Sequence, residues 1–355
     1  MQSKNDIADK VRVIIVDDTR SIRLMIRAML QTDPRIEVVG EACDPYEARE
    51  MIRALNPDVI TLDVIMPRMD GLSFLERIMR LRPMPVVMVS TRTTQKSKEA
   101  ITALSLGAVD CVDLGQLRQS QDAGALARTV IMAAGSNLGN WITNGATHCA
   151  EPAASESYEW NGKVVLIGSS TGGVDALLKV LSDIPENGPP ILIAQHMPAS
   201  FLESFAGRLE RNCRPKVQLS ENGVRMRRGN VYLAIGGDTH ATVSPGDPYI
   251  LTHKLHDGTE MYVPSVNLLF ASGVRHAKRM VAVMLTGMGS DGAQPMLAMK
   301  EAGAHTIVQD SASAVIDGMP RSARDIGAAV DVASLAKIGG CIMQSTSKSQ
   351  QKATP

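Results

Sequence analysis

The stretch "VVLIGSSTGG", Val164 to Gly173, decides how the larger part of this chain folds. Four branched apolar residues run straight into glycines and small hydroxyls, the pattern of a strand buried on both faces that empties into a tight turn and then a helix. Outward from it the alternation continues in "VDALLKVL", "PPILIAQ", "FLESFAGRLERN", "RMVAVMLTG", "QPMLAMKEAG" and "HTIVQD". Such alternation predicts a doubly wound, mostly parallel α/β domain over residues 162–340. Within it, "KVQLSENGVRM" through "YILTHKL" places Gly and Pro turn signals between strand-like runs, and predicts antiparallel strands.

Upstream, residues 11–134 alternate in the same way, from "VRVIIVDD" and "SIRLMIRAML" to "AVDCVDL" and "AGALARTVIMA". That is a second set of five βα units, hence a second parallel sheet covered by helices. Between the two, residues 135–161 ("GSNLGNWITNGATHCAEPAASESYEWN") lose the periodicity and read as a linker. Residues 341–355 end in "STSKSQQKATP" and read as a disordered tail.

A length of 355 residues suits two domains, and 44% apolar residues supply a core for each. Lys and Arg total 37 and so do Asp and Glu, so no overall field draws the chain to nucleic acid or an acidic membrane. The five cysteines are widely spaced without a CxxC pair, which argues against a disulfide framework or a structural zinc and fits a reducing cytoplasm. Apolar runs such as "MVAVML" are far shorter than the ~20 residues that cross a bilayer, so no membrane insertion is expected.

Three chemistries compete for "GSSTGG". A phosphate-binding loop of the Walker type needs Lys and Ser/Thr after its last glycine, but Val174 and Asp175 follow Gly173. A dinucleotide fingerprint needs glycine where Ser170 stands and an acid about 20 residues on, which is missing. Gly168-Ser169-Ser170-Thr171-Gly172 does match G-x-S-x-G between a strand and a helix, a turn that pushes one hydroxyl, that of Ser170, out of the sheet edge. The motif alone does not separate a nucleophile from an inert turn of small residues.

A serine nucleophile needs a base, and the base needs an orienting group. His196 ends the next strand-like run, "PPILIAQH", in the place equivalent to Ser170. His148 lies in the linker, and His240, His253, His256, His276 and His305 follow no apolar strand so directly. Asp291 follows "VAVMLTGMGS", another strand running into a glycine-rich loop, and suits the role of partner to His196, or else caps the helix after it. In the first half, Asp17 and Asp18 end one strand and Asp63 another. At neighbouring strand ends they form a nest of hard oxygens suited to Mg²⁺.

"IIVDD", "LDVIMPRMDG" and "VVMVST" resemble a response-regulator receiver domain, across nearly all of residues 11–134. The resemblance implies a flavodoxin-like (βα)5 fold, Asp63 as acceptor of a phosphoryl group from a chemotaxis histidine kinase, Mg²⁺ held by Asp17, Asp18 and Asp63, and Ser90 as the switch hydroxyl. One departure bears on switching: Leu114 and Gly115 occupy the positions where receivers usually carry Lys-Pro. "IGSSTGG", "AQHMP", "MLTGMGSDGA", "SVNLLF" and "HTIVQDSASAVIDGMP" in turn are similar to the catalytic domain of the chemotaxis protein-glutamate methylesterases, the CheB family. That likeness implies Ser170 as nucleophile, His196 as base, Asp291 as its partner, and Thr171 and Met288 on the oxyanion side. It also implies hydrolysis of glutamate methyl esters on methyl-accepting chemotaxis receptors with release of methanol, deamidation of receptor glutamines, no cofactor for the esterase, and regulation by receiver phosphorylation in a cytoplasmic monomer. Ser169 stands where alanine is frequent in the family, an exchange expected to leave the site undisturbed. Two other readings stay open: a receptor-docking response regulator without catalysis, and a nucleotide-dependent oxidoreductase.

Overall fold

The computed structural model describes residues 10–90, 94–119, 124–136, 158–245 and 249–348. Contacts divide the chain into two compact units, Met1–Leu138 and Gly139–Pro355. Among the described residues no helix is long and apolar enough to cross a membrane.

The first unit is the expected five-stranded parallel sheet. Its strands β1 (Val11–Val16), β2 (Ile36–Ala42), β3 (Val59–Asp63), β4 (Val86–Ser90) and β5 (Asp110–Asp113) lie in the order β2-β1-β3-β4-β5. This is the flavodoxin-like order, with its switch between β1 and β3. The covering helices start where the sequence says they should. Asp44 caps α2 (Pro45–Leu55; α1 is Arg20–Leu30) by accepting from the N–H groups of Tyr46 and Glu47, and Pro45 takes the first helical position, where its missing donor costs nothing. β5 ends at Asp113, and Leu114 opens a short helix, Leu114–Gln119, with its own side chain buried.

In the second unit seven parallel strands lie in the order β14-β13-β12-β6-β7-β9-β8. They are β6 (Val164–Ser169), β7 (Ile191–Gln195), β8 (Lys216–Leu219), β9 (Asn230–Leu233), β12 (Met280–Met284), β13 (His305–Gln309) and β14 (Asp331–Ala333). A separate antiparallel hairpin pairs β10 (Thr239–Ser244) with β11 (Ile250–Leu255). Antiparallel pairing, expected from Lys216 to Leu255, is found in the hairpin and in a bridge between Arg225 and Ile250 of β11, while β8 and β9 run parallel with the main sheet. The reason is that β9 docks on β7 and takes its direction, while the loop between β8 and β9 turns through Gly223 and Gly229, both with positive φ, and brings the chain back to start β9 alongside β8.

The second unit also extends beyond residue 340. Its last helix, Leu335–Thr346, buries Ile338, Ile342 and Thr346 on one stripe, and the Tyr158 hydroxyl donates to Thr346 Oγ1 at 3.0 Å. Residues 341–348 are therefore structured, where a tail was expected. The apolar stripe persists at a four-residue spacing through a segment whose overall composition is polar. Trp160 bridges to Ser347, so the end of the expected linker belongs to this unit as well. The remaining linker and tail residues, 137–157 and 349–355, lie outside the described residues.

Candidate active site

β6 lies between β12 and β7, and register pairs Gly168 with Met284 and Ser169 with Gln195. Ser170, His196 and the loop beginning at Leu285 therefore all leave the carboxyl edge of three adjacent strands, at the point where the strand order switches direction. The turn after β6 is fixed on both sides. Ser170 N–H donates to Thr286 O at 3.0 Å, and Gly173 N–H donates to Ser170 O at 2.8 Å. Gly172 has φ +78° and a side chain there would reach within 2.8 Å of Val315 Cβ, so only glycine makes this turn. Across the edge, His196 N–H donates to Ser169 O at 2.9 Å. The loop after β12 presses on the serine: a Cβ on Gly287 would sit 2.7 Å from Ser170 Cβ. Met288 follows it directly, half-buried, and the carbonyl of Thr171 accepts from Thr286 Oγ1 at 3.0 Å.

His196 Nε2 lies 2.7 Å from Asp291 Oδ2, with both side chains almost fully buried. The same carboxylate accepts from Val266 N–H at 2.8 Å and Asn267 N–H at 2.9 Å. Burial alone would raise the Asp291 carboxyl, but the hydrogen bond and charge of His196 and the two backbone donors outweigh it and hold it below the usual range. A helix cap was the alternative use for this residue. It does cap a helix, Val266–Gly273, though not the one that follows it in sequence. Because an ionised carboxylate only accepts, the ring proton of neutral His196 is on Nε2 and the bare nitrogen is Nδ1. Nδ1 is buried without a hydrogen-bond partner, and Tyr262 stacks on the ring at 4.2 Å and 12°. A basic nitrogen is thus kept dry and unoccupied on a ring whose tautomer is fixed by Asp291.

Sequence reasoning missed the groups that hold this arrangement. Gln195 is buried; its Oε1 accepts from Ser169 Oγ at 2.6 Å and its Nε2 donates to Ser170 O at 2.8 Å and His196 O at 3.0 Å. One amide therefore ties the serine turn to the histidine strand. A polar residue ending the apolar run "ILIAQ" was its only signal, since a buried amide must find partners. Ser169, expected as a neutral stand-in for alanine, supplies that amide's acceptor with its donor. Removing the hydroxyl leaves a buried oxygen unsatisfied, at a cost of about 1–3 kcal/mol. Thermal unfolding of Ser169→Ala is expected to show a loss of this order, and an unchanged midpoint would refute the role.

In the first unit, ligand oxygens of Asp17, Asp18 and Asp63 all lie within 4.8 Å of one another. Burial, followed by the charges of Asp63 and Asp18, pushes the Asp17 carboxyl up to about 6 against the opposing Thr19 N–H and Arg23. A carboxyl crowded by two others is what a divalent cation relieves, so the three-oxygen donor set fits Mg²⁺. Ser90 ends β4 opposite Asp113 of β5; its side chain lies outside the described residues. Leu114 is buried and Gly115 N–H donates to Asp113 Oδ1 at 2.7 Å.

Residues 165–342 match the family model of the CheB methylesterase, and residues 13–113 match that of the response regulator receiver domain. The chain belongs to the CheB methylesterase family. A protein-glutamate methylesterase/protein-glutamine glutaminase of Caulobacter vibrioides is 49% identical over 339 residues, covering 94% of this chain and 97% of that one. One of Agrobacterium fabrum is 44% identical over 345 residues, covering 96% and 98%. The crystal structure of the Thermotoga maritima CheB methylesterase catalytic domain superposes with a TM-score of 0.50 at 32% identity, over 52% of this chain and 98% of that domain. These matches favour the CheB reading over a docking module without catalysis, and set aside the oxidoreductase reading.

Proposed function

We propose that the second unit hydrolyses glutamate methyl esters on the helices of methyl-accepting chemotaxis receptors, and deamidates receptor glutamines, with Ser170 as nucleophile. The observation that carries this is the buried His196 with a bare Nδ1, braced by Asp291 and adjacent across two strand ends to Ser170. Ser170 Oγ attacks the ester carbonyl carbon while its proton passes to His196 Nδ1. The oxyanion takes hydrogen bonds from the N–H groups of Thr171 and Met288, beside the positive end of the helix Gly173–Ser182. His196 then protonates the departing methoxide as the C–O bond breaks, and methanol leaves. Water, deprotonated by the same nitrogen, attacks the acyl-serine and releases the glutamate carboxylate. From glutamine the leaving group is ammonia. Ser170 and His196 are not hydrogen-bonded in the resting geometry, and substrate binding closes that distance.

The first unit acts as the receiver. Asp63 accepts the phosphoryl group from a chemotaxis histidine kinase; Asp17, Asp18 and Asp63 would hold Mg²⁺, which when bound would supply the positive charge that an anionic donor needs beside a carboxylate. Ser90 is the switch hydroxyl, and Leu114 offers a phosphoryl group no cation where the resemblance places lysine. The protein works as a cytoplasmic monomer on the helical surface of its receptors.

One experiment tests both units. Methyl-esterified receptor fragments incubated with the protein are expected to release methanol and lose one methylene of mass per esterified site, and glutamine-bearing fragments to release ammonia. A rise in rate with a small phosphodonor and Mg²⁺ that is lost in Asp63→Ala supports regulation. Equal rates with Asp63 phosphorylated remove the switch and leave the esterase, whereas absence of methanol overturns the function.

A further inference from the structure

Behind the carboxylate of Asp291 lies a pair of histidines that the reaction as described does not use. His240, on β10, is buried, and its Nδ1 lies 3.1 Å from Ser265 N, while its Nε2 lies 3.1 Å from His256 Nδ1. Ser265 opens the helix Val266–Gly273: its Oγ accepts from Leu268 N–H at 3.2 Å and donates to Glu260 Oε2 at 2.9 Å. Three successive N–H groups are therefore shared out at this helix end. That of Ser265 goes to His240, and those of Val266 and Asn267 go to Asp291.

Proton accounting fixes the state of the pair. The Ser265 N–H can only donate, so His240 Nδ1 is bare and its ring proton is on Nε2. That proton donates to His256 Nδ1, which must be bare in turn. Both rings are thereby neutral and each is held in one tautomer. A proton added to His240 Nδ1 would face the Ser265 N–H, and one added to His256 Nδ1 would face the Nε2–H of His240. Either sets two donors against each other and breaks the chain of bonds that ends at Ser265.

We propose that His240 is a positioning residue of the hydrolase: neutral and held by His256, it fixes the helix end whose backbone donors set Asp291 against His196, and one proton on the pair releases it. The groups facing His240 are His256, Lys254 opposite it on β11, and Asp257 and Glu260 in the following loop, while the helix Val266–Gly273 carries no charged side chain. Burial opposes a proton on His240 most strongly, and the neighbouring His256 ring, with which such a proton would have to coexist, opposes it next; Glu260 favours it, Lys254 opposes it and Asp257 favours it, in falling order, and the balance takes its proton affinity below the usual value. Since the folded state binds this proton less readily than the unfolded chain, the arrangement is intact above the ordinary histidine range and is lost as pH falls below it.

The inference rests on the proposed role of Ser170, His196 and Asp291, and the test separates the two. Methyl-ester hydrolysis and fluorophosphonate labelling are followed in the full chain from about pH 5.5 to about pH 9 for the wild type, His240→Ala and His240→Asn. In His240→Ala kcat is expected to fall about 10- to 100-fold with KM little changed, the range in which outer partners of a reacting group act. In His240→Asn the Oδ1 stands where Nδ1 stood, accepts from Ser265 and takes up no proton. This variant is expected to recover to within about threefold of wild type at alkaline pH, and its acid limb to follow about one proton where the wild type follows about two. Coincident acid limbs, or His240→Asn as slow as His240→Ala, overturn the proposal. If His240→Ala does not fold, the comparison of His240→Asn with wild type still decides. Labelling that persists in Ser170→Ala would instead sink the nucleophile assignment, whatever the His240 variants do.

Discussion

Ser170→Ala is expected to lower methyl-ester hydrolysis by about 10⁵- to 10⁶-fold and to abolish fluorophosphonate labelling, while leaving the fold intact. The size of the effect follows from how the turn is built. The backbone of Ser170 is already committed, its N–H to Thr286 and its carbonyl to Gly173 N–H and the Gln195 amide, so the turn keeps its shape without the hydroxyl. What is lost is the atom that forms the acyl bond. His196 keeps its tautomer and its dry Nδ1, but has no proton to take, so only the oxyanion donors and substrate binding remain to accelerate attack by water. Methanol release and adduct mass spectrometry, with circular dichroism as the check on folding, give the result. A variant that retains even a hundredth of the activity would move the nucleophile elsewhere, with the neighbouring hydroxyls of Ser169 and Thr171 the first to examine. Ser169 is an unpromising substitute, since its oxygen is fully buried and its proton is spent on Gln195.

The elements that place these residues were legible because each announces itself locally. A buried parallel strand reads as an unbroken apolar run, and β6, β7 and β12 each end such a run beside Ser170, His196 and the loop of Asp291. Strand order was not local, yet the common rule that functional groups gather at carboxyl ends sufficed to bring the three together. What the letters hid is what depends on distance in the chain. The support of Asp291 comes from Val266 and Asn267, about 25 positions earlier, and nothing in "SVNLLF" marks its first N–H groups as carboxylate ligands. Tyr262 covers the imidazole from a loop with no periodicity. The direction of β8 and β9 was misread for a similar reason: Gly and Pro signal that the chain turns, but which neighbour it meets afterwards is set by the free edge of β7. In the receiver, Asp17, Asp18 and Asp63 were recoverable because strand-end acids stand out in an apolar sheet.

Asp291→Asn is expected to cost about 10⁴-fold in kcat while removing little bulk, and it separates charge from shape. The carboxylate accepts three hydrogen bonds, from His196 Nε2, Val266 N–H and Asn267 N–H, and an amide can accept on only one of its two atoms. If the amide oxygen turns to the backbone pair, its NH₂ faces His196, forcing the ring proton from Nε2 to Nδ1 and blocking the nitrogen that takes the Ser170 proton. If the oxygen turns to His196, the NH₂ opposes two N–H groups at a helix start, where the dipole already favours negative charge. Both orientations fail, the first in catalysis and the second in the seating of the helix. The imidazolium that forms during attack also loses the anion beside it. The expected signature is a large fall in kcat with KM nearly unchanged, and an unfolding midpoint lowered by the opposed donors. A variant with full kcat would mean that Asp291 serves only as the cap of the helix Val266–Gly273, and that His196 needs no partner to act.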